Sequence, residues 1–432
     1  MKSKIDIKEI SETFKKALDN TEHNSLIKEE DTSIIFYDYT FLKKRLEEIR
    51  SSFPQNTLNT VAIKANPLVR ILKFFREEKF GLEAASLPEL YLAEKSGVHP
   101  SKIVFDSPAK TEKELEYALK LGVRINADSF SELERIDKLL KKIKSKSQIG
   151  IRINPQVGSG KIKITSTADE YSKFGIPIKN FKDELKNSFT EFPWLTGVHL
   201  HIGSQGISLR MLLNGIGVVY EFVEETNNFL QSKKVPNRIK NFDIGGGLPV
   251  QYKKNDVEIS VSEYAKEIKK NFPALFSKKY KLITEFGRWI NANAGWTACK
   301  VEYVKKQGGI NTAVIHAGAD LFLRRVYNPN EWHHDISVLD CNGEVKKGRK
   351  KRYVIAGPLC FSGDVISTNI LLPEIKPGDF VIIHDTGAYT LSMWSSYNSR
   401  QMPKVIAYCE NGEKFMVIKK RLTLKNILDF WS

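Results

Sequence analysis

The chain has 432 residues, of which 41% are hydrophobic and 10% aromatic, a composition that excludes a disordered chain and allows two or three globular domains. The net charge is +16, but the lysines are spread over several helix faces without interleaved aromatics, so we expect a solvated basic surface and no nucleic-acid partner. No apolar run reaches the roughly 18 residues of a membrane span, and the first twenty residues lack the apolar core of a signal peptide, so we expect no membrane partner and a cytoplasmic location.

The chain begins with a polar segment whose apolar residues have helical spacing. Residues 1–32 are expected to form a helical extension, and the sequence does not indicate its role. Residues 33–40 begin with the apolar run SIIFY. They are expected to form a strand that joins a β domain further along the chain.

Residues 41–290 alternate between strand-like and helical patterns. Short β-branched runs, each followed by a stretch with apolar residues three and four apart, lie at 60–64, 80–84, 102–105, 122–126, 149–153, 196–202, 240–244 and 280–285. This alternation predicts a parallel sheet, and eight such units fit a closed (β/α)₈ barrel. An open, doubly wound sheet is the alternative.

Residues 291–432 follow a different pattern, in which strand-like runs are separated by tight turns. The pairs Gly308-Gly309, Asn342-Gly343 and Asn411-Gly412 stand between such runs, which is typical of β-hairpins. The sequence therefore predicts a fold of class α/β + β, a (β/α)₈ barrel followed by a mostly antiparallel C-terminal β domain.

The expected C-terminal ends of the barrel strands carry many ionisable or amide side chains. They are Lys64, Glu83, Asp106, Asn126, Asp128, Arg152, Asn154, His199, His201, Asp243, Glu285 and Arg288. Barrel enzymes build their active sites at this end of the strands, and a purely structural barrel does not need so much polar chemistry on one face. The pattern therefore indicates an enzyme.

Two of these strand ends suit covalent chemistry and phosphate binding. Lys64 lies in AIKAN, where burial would lower the pKa of its amine and make it a nucleophile for a Schiff base. An ordinary lysine that extends to solvent fits equally well. The glycines at 245–247 follow the seventh strand, where barrel enzymes bind phosphate through backbone N–H groups, and a simple tight turn is the alternative.

The histidines and Glu285 each allow more than one interpretation. His199 and His201 could bind a metal or stack on a ring, or one could be a core histidine. Further metal ligands at suitable spacing are not evident, and the cysteines include no CxxC pair, so we expect no metal. Glu285 could form a structural ion pair or keep a cofactor's pyridinium nitrogen protonated.

Ten segments occur in order between residues 33 and 410. They are AIKAN (62–66), NADSFSEL (126–133), IRINP (151–155), YSKFGI (171–176), GVHLHIGSQ (197–205), DIGGG (243–247), EFGR (285–288), AGPLCFSGD (356–364), DTGAY (385–389) and YNSR (397–400). Together they resemble the alanine-racemase-like (fold type III) decarboxylases that use pyridoxal 5'-phosphate (PLP), and most closely the diaminopimelate decarboxylases.

The resemblance implies a PLP enzyme that releases CO₂ from an amino-acid substrate. Lys64 would bind the cofactor covalently, His201 would stack on its ring and Glu285 would pair with the ring nitrogen. Positions around the phosphate would be Ser204, Gly245, Gly246, Gly247, Gly287, Arg288 and Tyr389. Positions near the substrate would be Arg152, Arg288, Arg324, Phe361 and Asp364.

The resemblance also implies a head-to-tail homodimer with shared active sites. The segment from Cys360 to Asp364 would enter the site of the neighbouring subunit, where Cys360 would help to reprotonate the product carbon. Residues 156–172 would pack over the tail of the substrate.

Four positions depart from the family pattern. EFGR replaces EPGR, Glu83 stands where an aspartate is usual, and His316 stands where diaminopimelate decarboxylases tend to have aspartate. Phe361 replaces the glutamate expected to contact the distal amino group of the substrate. Phenylalanine accepts no hydrogen bond, and burying an unpaired ammonium is costly, so we expect the chemistry to be kept while the substrate could differ from meso-diaminopimelate.

Three other functions stay open at this stage. The enzyme could decarboxylate another basic or pathway-specific amino acid, such as lysine, ornithine or a larger carboxylated amine. It could be an amino-acid racemase, although such racemases usually have arginine where Glu285 stands. It could be a silent PLP-binding homologue, although Lys64, His201, Glu285 and Cys360 are all present.

Overall fold

A computed structural model describes residues 4–20, 26–253, 255–256 and 258–432, without the side chains of Gln307 and Asn411. The expected helical extension at 1–32 therefore lies partly outside the described residues. The chain divides into two compact units. One contains the described residues of Met1–Lys44, Gln251–Asp256 and Ile290–Ser432, and the other contains those of Arg45–Val250 and Val257–Trp289.

The first elements of the chain are two helices and one strand. They are Ile7–Leu18 (α1), Ser33–Asp38 (β1) and Tyr39–Ser52 (α2). Asp6 caps the start of α1 by accepting hydrogen bonds from the backbone N–H groups of Lys8 and Glu9, which satisfies donors that the helix leaves unpaired.

The second unit is a barrel of parallel strands with helices between them. Its strands are Leu58–Ala62 (β2), Gly81–Ala84 (β3), Ile103–Asp106 (β4), Arg124–Ala127 (β5), Ile149–Asn154 (β6), Ile176–Pro177 (β7), Leu195–His199 (β8), Asn241–Asp243 (β9) and Lys281–Phe286 (β10). Its helices are Val69–Glu77 (α3), Leu87–Lys95 (α4), Glu112–Leu121 (α5), Phe130–Leu140 (α6), Ile178–Glu191 (α7), Leu209–Ser232 (α8) and Val261–Asn271 (α9), and Arg288–Asn291 (α10) crosses the boundary between the units.

The strand pairing closes the barrel. The order β2-β3-β4-β5-β6-β8-β9-β10 is parallel throughout, and β10 pairs with β2, while the two-residue β7 adds to β6. This confirms the closed eight-stranded barrel and excludes the open sheet. Each of the eight predicted runs overlaps one barrel strand, because continuous β-branched runs suit strands that are buried on both faces.

Polar caps fix where the helices begin. Ser86, Ser129, Ser208 and Ser260 each accept a hydrogen bond from a backbone N–H in the first turn of α4, α6, α8 and α9. Thr111 forms a capping box at the start of α5. These caps set the start of each helix just after the loop that follows a strand. They therefore limit the length of the loops that build the strand-end face.

The remaining elements form the β domain. They are Gly295–Gln307 (β11), Ile310–Ile315 (β12), Leu323–Tyr327 (α11), Ile336–Leu339 (β13), Lys351–Ala356 (β14), Val365–Leu372 (β15), Phe380–Ile383 (β16), Lys404–Cys409 (β17), Lys414–Lys419 (β18) and Leu424–Trp431 (α12). The sheet order is β15-β14-β12-β11-β1-β17-β18, with β16 between β11 and β13. Most pairs are antiparallel, whereas β1–β17 and β12–β14 are parallel.

Two of the three predicted glycine-containing turns connect antiparallel strands of the β domain. Gly308 and Gly309 connect β11 to β12 with φ of +56° and +80°, values that suit a tight hairpin turn. Residues 410–412 likewise connect the antiparallel strands β17 and β18. The third predicted hairpin differs, because the turn at 342–343 is followed by an isolated bridge from Leu339 to Val345 rather than by a second strand.

Helix α1 packs on the β domain. Its buried side chains Ile10, Phe14 and Ala17 join a hydrophobic cluster that includes Phe36 and Trp296. The aromatic rings of Phe36 and Trp296 are stacked with centroids 4.0 Å apart. Among the described residues, no helix is both long enough and apolar enough to cross a membrane.

Candidate active site

The strand-end face of the barrel brings together the charged side chains that the sequence singles out there. Lys64 lies just beyond β2, in a single 3₁₀ turn at Ile63–Ala65 rather than within the strand. Its Nζ is 2.9 Å and 2.7 Å from the two carboxylate oxygens of Glu83 on β3. Glu83 is fully buried, whereas the Lys64 side chain is 41% exposed, so its amine can meet a ligand that enters from this face.

Burial decides the protonation of Glu83. Removal from water raises the pKa of Glu83 to about 8, although the positive charge of Lys64 lowers it, and the charge of Glu285 adds to the rise. A carboxyl group with this pKa takes up or gives up a proton near neutral pH. The Glu83 carboxyl group is therefore able to exchange a proton with the Lys64 amine.

A second group of charges lies across strands β4, β5 and β6. Arg152 Nη1 is 3.4 Å from Asp106 Oδ2, and Arg152 Nε is 3.9 Å from Asp128 Oδ1. The Arg152 guanidinium also lies 4.5 Å from the ring centroid of Phe174, so one cation has two anionic neighbours and an aromatic face. Burial raises the pKa of Asp128 to about 6 against the charge of Arg152.

His199 is fully buried at the end of β8, between two carboxylates. Its Nε2 is 3.5 Å from Asp106 Oδ2 and 3.4 Å from Glu285 Oε2. Burial alone would raise the pKa of Asp106, but His199 and Arg152 hold it below its usual range. Asp106, His199 and Glu285 have ligand atoms within 4.8 Å of one another, so the spacing would also suit a metal ion.

Asp243, at the end of β9, completes this acidic group. Burial raises the pKa of Asp243 well above its usual range, and the negative charge of Glu285 raises it further. Its Oδ1 accepts a hydrogen bond from Gly245 N at 2.9 Å. Asp243 thus favours its neutral form and ties the acidic group to the glycine turn.

His201 lies two residues beyond the end of β8, not on the strand. Its Nδ1 accepts a hydrogen bond from Gly246 N at 3.1 Å, which defines the tautomer as the one protonated on Nε2 when the ring is neutral. Burial lowers the pKa of His201 well below its usual value, and the charge of Arg152 lowers it further. The ring is therefore neutral at pH 7 and can face an aromatic ligand.

The three glycines after β9 are required by close packing. A Cβ on Gly245 would lie 2.5 Å from Leu200 O, one on Gly246 would lie 2.3 Å from Glu285 O, and one on Gly247 would lie 2.7 Å from Gly203 O. Gly245 and Gly247 also have positive φ, +62° and +107°. Only glycine lets the turn approach the neighbouring strand ends this closely.

Ser204 and Arg288 lie next to each other near this turn. Arg288 Nε donates a hydrogen bond to Ser204 Oγ at 2.9 Å. Ser204 N in turn donates to Thr165 O at 3.2 Å, and Ser166 forms a bridge with Gly203. The loop at residues 156–172 is therefore attached to the segment that carries His201 and Ser204.

The other expected site residues belong to the β domain. Asp364 is buried, and its carboxylate accepts hydrogen bonds from Ala319 N and Leu359 N, both at 2.7 Å. Cys360 is exposed, and its backbone N–H donates to Asn398 Oδ1 at 2.8 Å. In this unit Asp364 holds the loop that presents Cys360.

Aromatic rings surround Phe361 and Arg324 in the β domain. The ring of Phe361 stacks on Tyr327 with centroids 5.8 Å apart and meets Tyr397 edge-on at 6.0 Å. The Arg324 guanidinium lies 4.7 Å from the ring centroid of Trp332 and 4.5 Å from that of Tyr389. Tyr389 has a φ of +58°, an uncommon backbone conformation for a bulky residue and a frequent feature of functional loops.

The barrel contains site residues that the expected set leaves out. They are Glu83, Asp106, Asp128, His199 and Asp243, all of which are buried. Each of them stands at an expected strand end, so its position in the sequence could have marked it as a site residue. What the sequence could not indicate is which side chains meet, because those contacts depend on closure of the barrel.

The barrel residues fit PLP. The Lys64 amine is accessible for covalent attachment, and Ser204 and Arg288, next to the glycine turn, offer O–H and guanidinium donors to a phosphate. A neutral His201 suits an aromatic ring, and the acidic group around Glu285 suits a protonated ring nitrogen. The donor set thus matches a phosphorylated pyridine aldehyde better than it matches a metal ion alone.

Comparisons with known proteins agree with this chemistry. Residues 40–292 match the family of pyridoxal-dependent decarboxylases, in its pyridoxal-binding domain. The chain is 32% identical to a diaminopimelate decarboxylase of Aquifex aeolicus, over 96% of this chain and 92% of the relative. It is also 32% identical to that of Helicobacter pylori, over 94% and 96%.

Solved structures give the same result. Diaminopimelate decarboxylase from Helicobacter pylori complexed with L-lysine has a TM-score of 0.82 at 30% identity, over 93% of this chain and 97% of that one. Lysine/ornithine decarboxylase from Vibrio vulnificus has a TM-score of 0.73 at 21% identity, over 88% and 95%, which shows a shared fold alone. The family's cofactor is PLP and its reaction is loss of CO₂ from an amino acid, and the chain belongs to these pyridoxal-dependent decarboxylases.

Proposed function

We propose that this carboxy-lyase removes the α-carboxylate of meso-diaminopimelate or a close analogue. The observation that carries the proposal is the accessible Lys64 amine on a buried Glu83, beside a glycine turn suited to phosphate. The names of the relatives supply the substrate. Arg152, Arg288 and Arg324 are the cations proposed to face its carboxylates.

The proposed mechanism assigns one task to each site residue of the barrel and to Tyr389 of the β domain. Bound at this site, PLP supplies an electron-withdrawing ring that takes up the electron pair left when CO₂ departs. Lys64 Nζ would hold the cofactor covalently, and Glu285 would pair with its ring nitrogen. His201 would face the ring, while Ser204, Arg288, Gly287, Tyr389 and the glycine turn would hold the phosphate.

Proton return to the α-carbon is proposed to use Lys64 Nζ or Cys360 Sγ. Cys360 is exposed on a loop that Asp364 and Asn398 hold in place. An exposed thiol on a supported loop can reach a neighbouring subunit. We therefore propose a homodimer in which each active site uses Lys64 of one copy and Cys360 of the other.

The first experiment is CO₂ release from a panel of amino acids by PLP-loaded protein. The panel contains meso-diaminopimelate and both enantiomers of lysine, ornithine and glutamate, and unreacted substrate is recovered for chiral analysis. Release from meso-diaminopimelate with unchanged chirality supports the proposal. Racemised substrate without CO₂ would support a racemase instead.

Substitution of Lys64 tests the covalent role. Lys64→Ala should lose CO₂ release and also lose the PLP adduct that borohydride reduction traps on the Lys64 peptide. Lys113→Ala, an exposed lysine on α5, is the matched control and should keep both properties. Full activity in Lys64→Ala would contradict the covalent role of Lys64. An intact adduct on another lysine would assign that role to the other residue.

Complementation tests the shared site. Lys64→Ala and Cys360→Ala should each be impaired, whereas an equal mixture refolded together should recover about a quarter of wild-type activity. Random pairing makes half of the dimers mixed, and one of the two sites in each mixed dimer is intact. Activity no higher than that of the separate variants would mean that Lys64 and Cys360 act within one copy or that Cys360 has no role.

A different substrate is the second candidate, because of the aromatic group at Phe361. Phe361 contacts both Tyr327 and Tyr397, and Tyr397 Oη donates a hydrogen bond to Cys360 O. These rings offer no carboxylate to a distal ammonium. An apolar or larger tail suits such a surface. CO₂ release from lysine, ornithine or a longer carboxylated amine, with meso-diaminopimelate inactive, would favour this candidate.

The cytoplasmic location also belongs to the proposal. It is supported by four free cysteines, two of them exposed, which are typical of a reducing compartment. Cell fractionation with a tagged copy tests it.

A further inference from the structure

The last helix of the β domain has an apolar face that lies in solvent. Leu424, Ile427, Leu428, Phe430 and Trp431 occupy one side of α12, and we call these residues the α12 face. Lys425, Asn426 and Asp429 occupy the opposite side, as the 3.6-residue repeat requires. Leu424, Leu428 and Trp431 are 79%, 66% and 60% exposed, although such a face is normally buried against another element.

A cavity of about 820 Å³ lies beside the start of this helix, in the same unit. Its apolar lining comes from Leu26, Phe415, Met416, Val417 and Leu422, and we call it the β18 groove. Strand β18 is the edge of its sheet, and Met416 is 50% exposed. The groove therefore offers apolar surface and an open strand edge side by side.

The helix does not fill the groove of its own copy. Leu424 lines the cavity, but none of the described α12 residues after it does. Thr423 forms a capping box with Asn426 that fixes the direction in which the helix leaves.

The exposed apolar area matches what a stable contact between two copies needs. The residues concerned are Leu424, Leu428, Phe430, Trp431, Met416 and Val417. At on the order of 100 Å² each they amount to roughly 600 Å², close to the ~800 Å² that each partner buries in a standard interface. Leu424 belongs to the face and also lines the groove, so the two surfaces are adjacent, and a two-fold axis lets each copy give its helix and receive the other's.

We propose that two copies of the chain associate by placing the α12 face of each in the β18 groove of the other. The contact is isologous and buries both apolar surfaces at once. It uses the β18 end of the strand order, whereas Cys360, the residue proposed to reach a neighbouring active site, lies in the loop before β15 at the other end. The chain thus has its own second surface for self-association.

Sedimentation velocity over a dilution series of the PLP-loaded full chain tests this proposal. Leu428→Asp combined with Trp431→Ser should raise the dissociation constant of the association through α12 at least tenfold. Met416→Asp, tested separately, should do the same. Lys425→Ser combined with Asp429→Ser, on the polar side of α12, is the matched control and should leave it unchanged. Circular dichroism checks that each variant is folded. An unchanged dissociation constant in the apolar-face variant would overturn the proposal.

A photo-cross-linker identifies the occupant of the groove. Benzoylphenylalanine replaces Phe430 in a mixture of ¹⁴N- and ¹⁵N-labelled protein, and mass spectrometry locates the cross-link. A link between differently labelled chains, from position 430 to residues 26–31 or 415–424, supports the proposal. A link within one chain would mean that α12 folds back onto its own copy. Binding to anionic or neutral lipid vesicles without a link between chains would identify a membrane surface instead, and either result overturns the proposal.

Discussion

At the scale of single residues, burial rather than residue type sets the chemistry of the barrel. Glu83, Asp128 and Asp243 are carboxylic acids whose pKa burial raises, whereas Asp106 has its pKa held down by His199 and Arg152. Acidic groups with separated pKa values within a few strand ends allow one to carry a proton while another stays charged.

The raised pKa of Glu83 predicts a pH dependence of stability in the cofactor-free protein. The unfolded Glu83 loses its proton near pH 4.5, but the folded one keeps it until about pH 8. The stabilisation is thus present below pH 4.5 and is lost as the pH rises towards 8. Glutamine does not titrate, so Glu83→Gln does not lose stability in this way. The melting temperature of Glu83→Gln minus that of wild type should therefore increase from pH 5 to pH 8.

The control for this prediction is Glu47→Gln on the exposed side of α2. Glu47 is exposed, so its melting temperature relative to wild type should stay level over the same pH range. Thermal unfolding followed by circular dichroism at several pH values makes the comparison. A difference between Glu83→Gln and wild type that stays constant with pH would contradict the assigned pKa.

At the scale of elements, the glycine turn after β9 connects the cofactor site to the barrel wall. Gly246 is packed so closely on β10 that a Cβ would lie 2.3 Å from Glu285 O. The same residue donates its backbone N–H to His201. One turn therefore sets the positions of His201, the acidic Glu285 and the proposed phosphate donors.

Gly246→Ala should weaken PLP binding by about tenfold or more. A contact with backbone cannot be relieved by a side-chain rotation, and overpacking of this kind costs about 1–3 kcal/mol. Titration of cofactor-free protein with PLP, followed by absorbance, gives the dissociation constant. Gly217→Ala in α8, where a Cβ would meet the Phe272 ring at 3.3 Å, should bind PLP like wild type. Equal affinities for the two variants would contradict the role of the turn.

The elements differ in how far sequence predicts them. The barrel strands and the Ser- or Thr-capped helices follow from local pattern, because β-branched runs and polar caps act within a few residues. His201 was placed on a strand that in fact ends at His199, since periodicity does not locate the last hydrogen bond of a ladder. The contact of Lys64 with Glu83 joins two neighbouring strands, and that of His199 with Asp106 joins β8 to β4, which do not pair with each other. The periodicity of a single strand predicts neither contact.

At the scale of the whole molecule, the two ends of the chain build one domain. Strand β1 lies between β11 and β17, so residues from the N-terminal region complete a sheet made mostly of the last third of the chain. Helix α1 covers that sheet with Phe14, whose ring meets those of Phe36, Trp296 and Phe380. Helix α1, in the expected extension for which the sequence indicated no role, contributes to the core of the β domain.

Phe14→Ala should therefore destabilise the β domain by about 3–5 kcal/mol, the usual cost of removing a buried aromatic ring from a core. Phe14 is fully buried, and its T-shaped contact with Phe380 has centroids 4.8 Å apart. Denaturant unfolding followed by tryptophan fluorescence reports the change, because Trp296 belongs to the same cluster. Lys8→Ala, on the exposed side of α1, should change the free energy of unfolding by less than about 0.5 kcal/mol. If Phe14→Ala costs no more than Lys8→Ala, then α1 is an appendage and the sheet is stable without it; a large cost means that the chain must bring its two ends together before the β domain is stable.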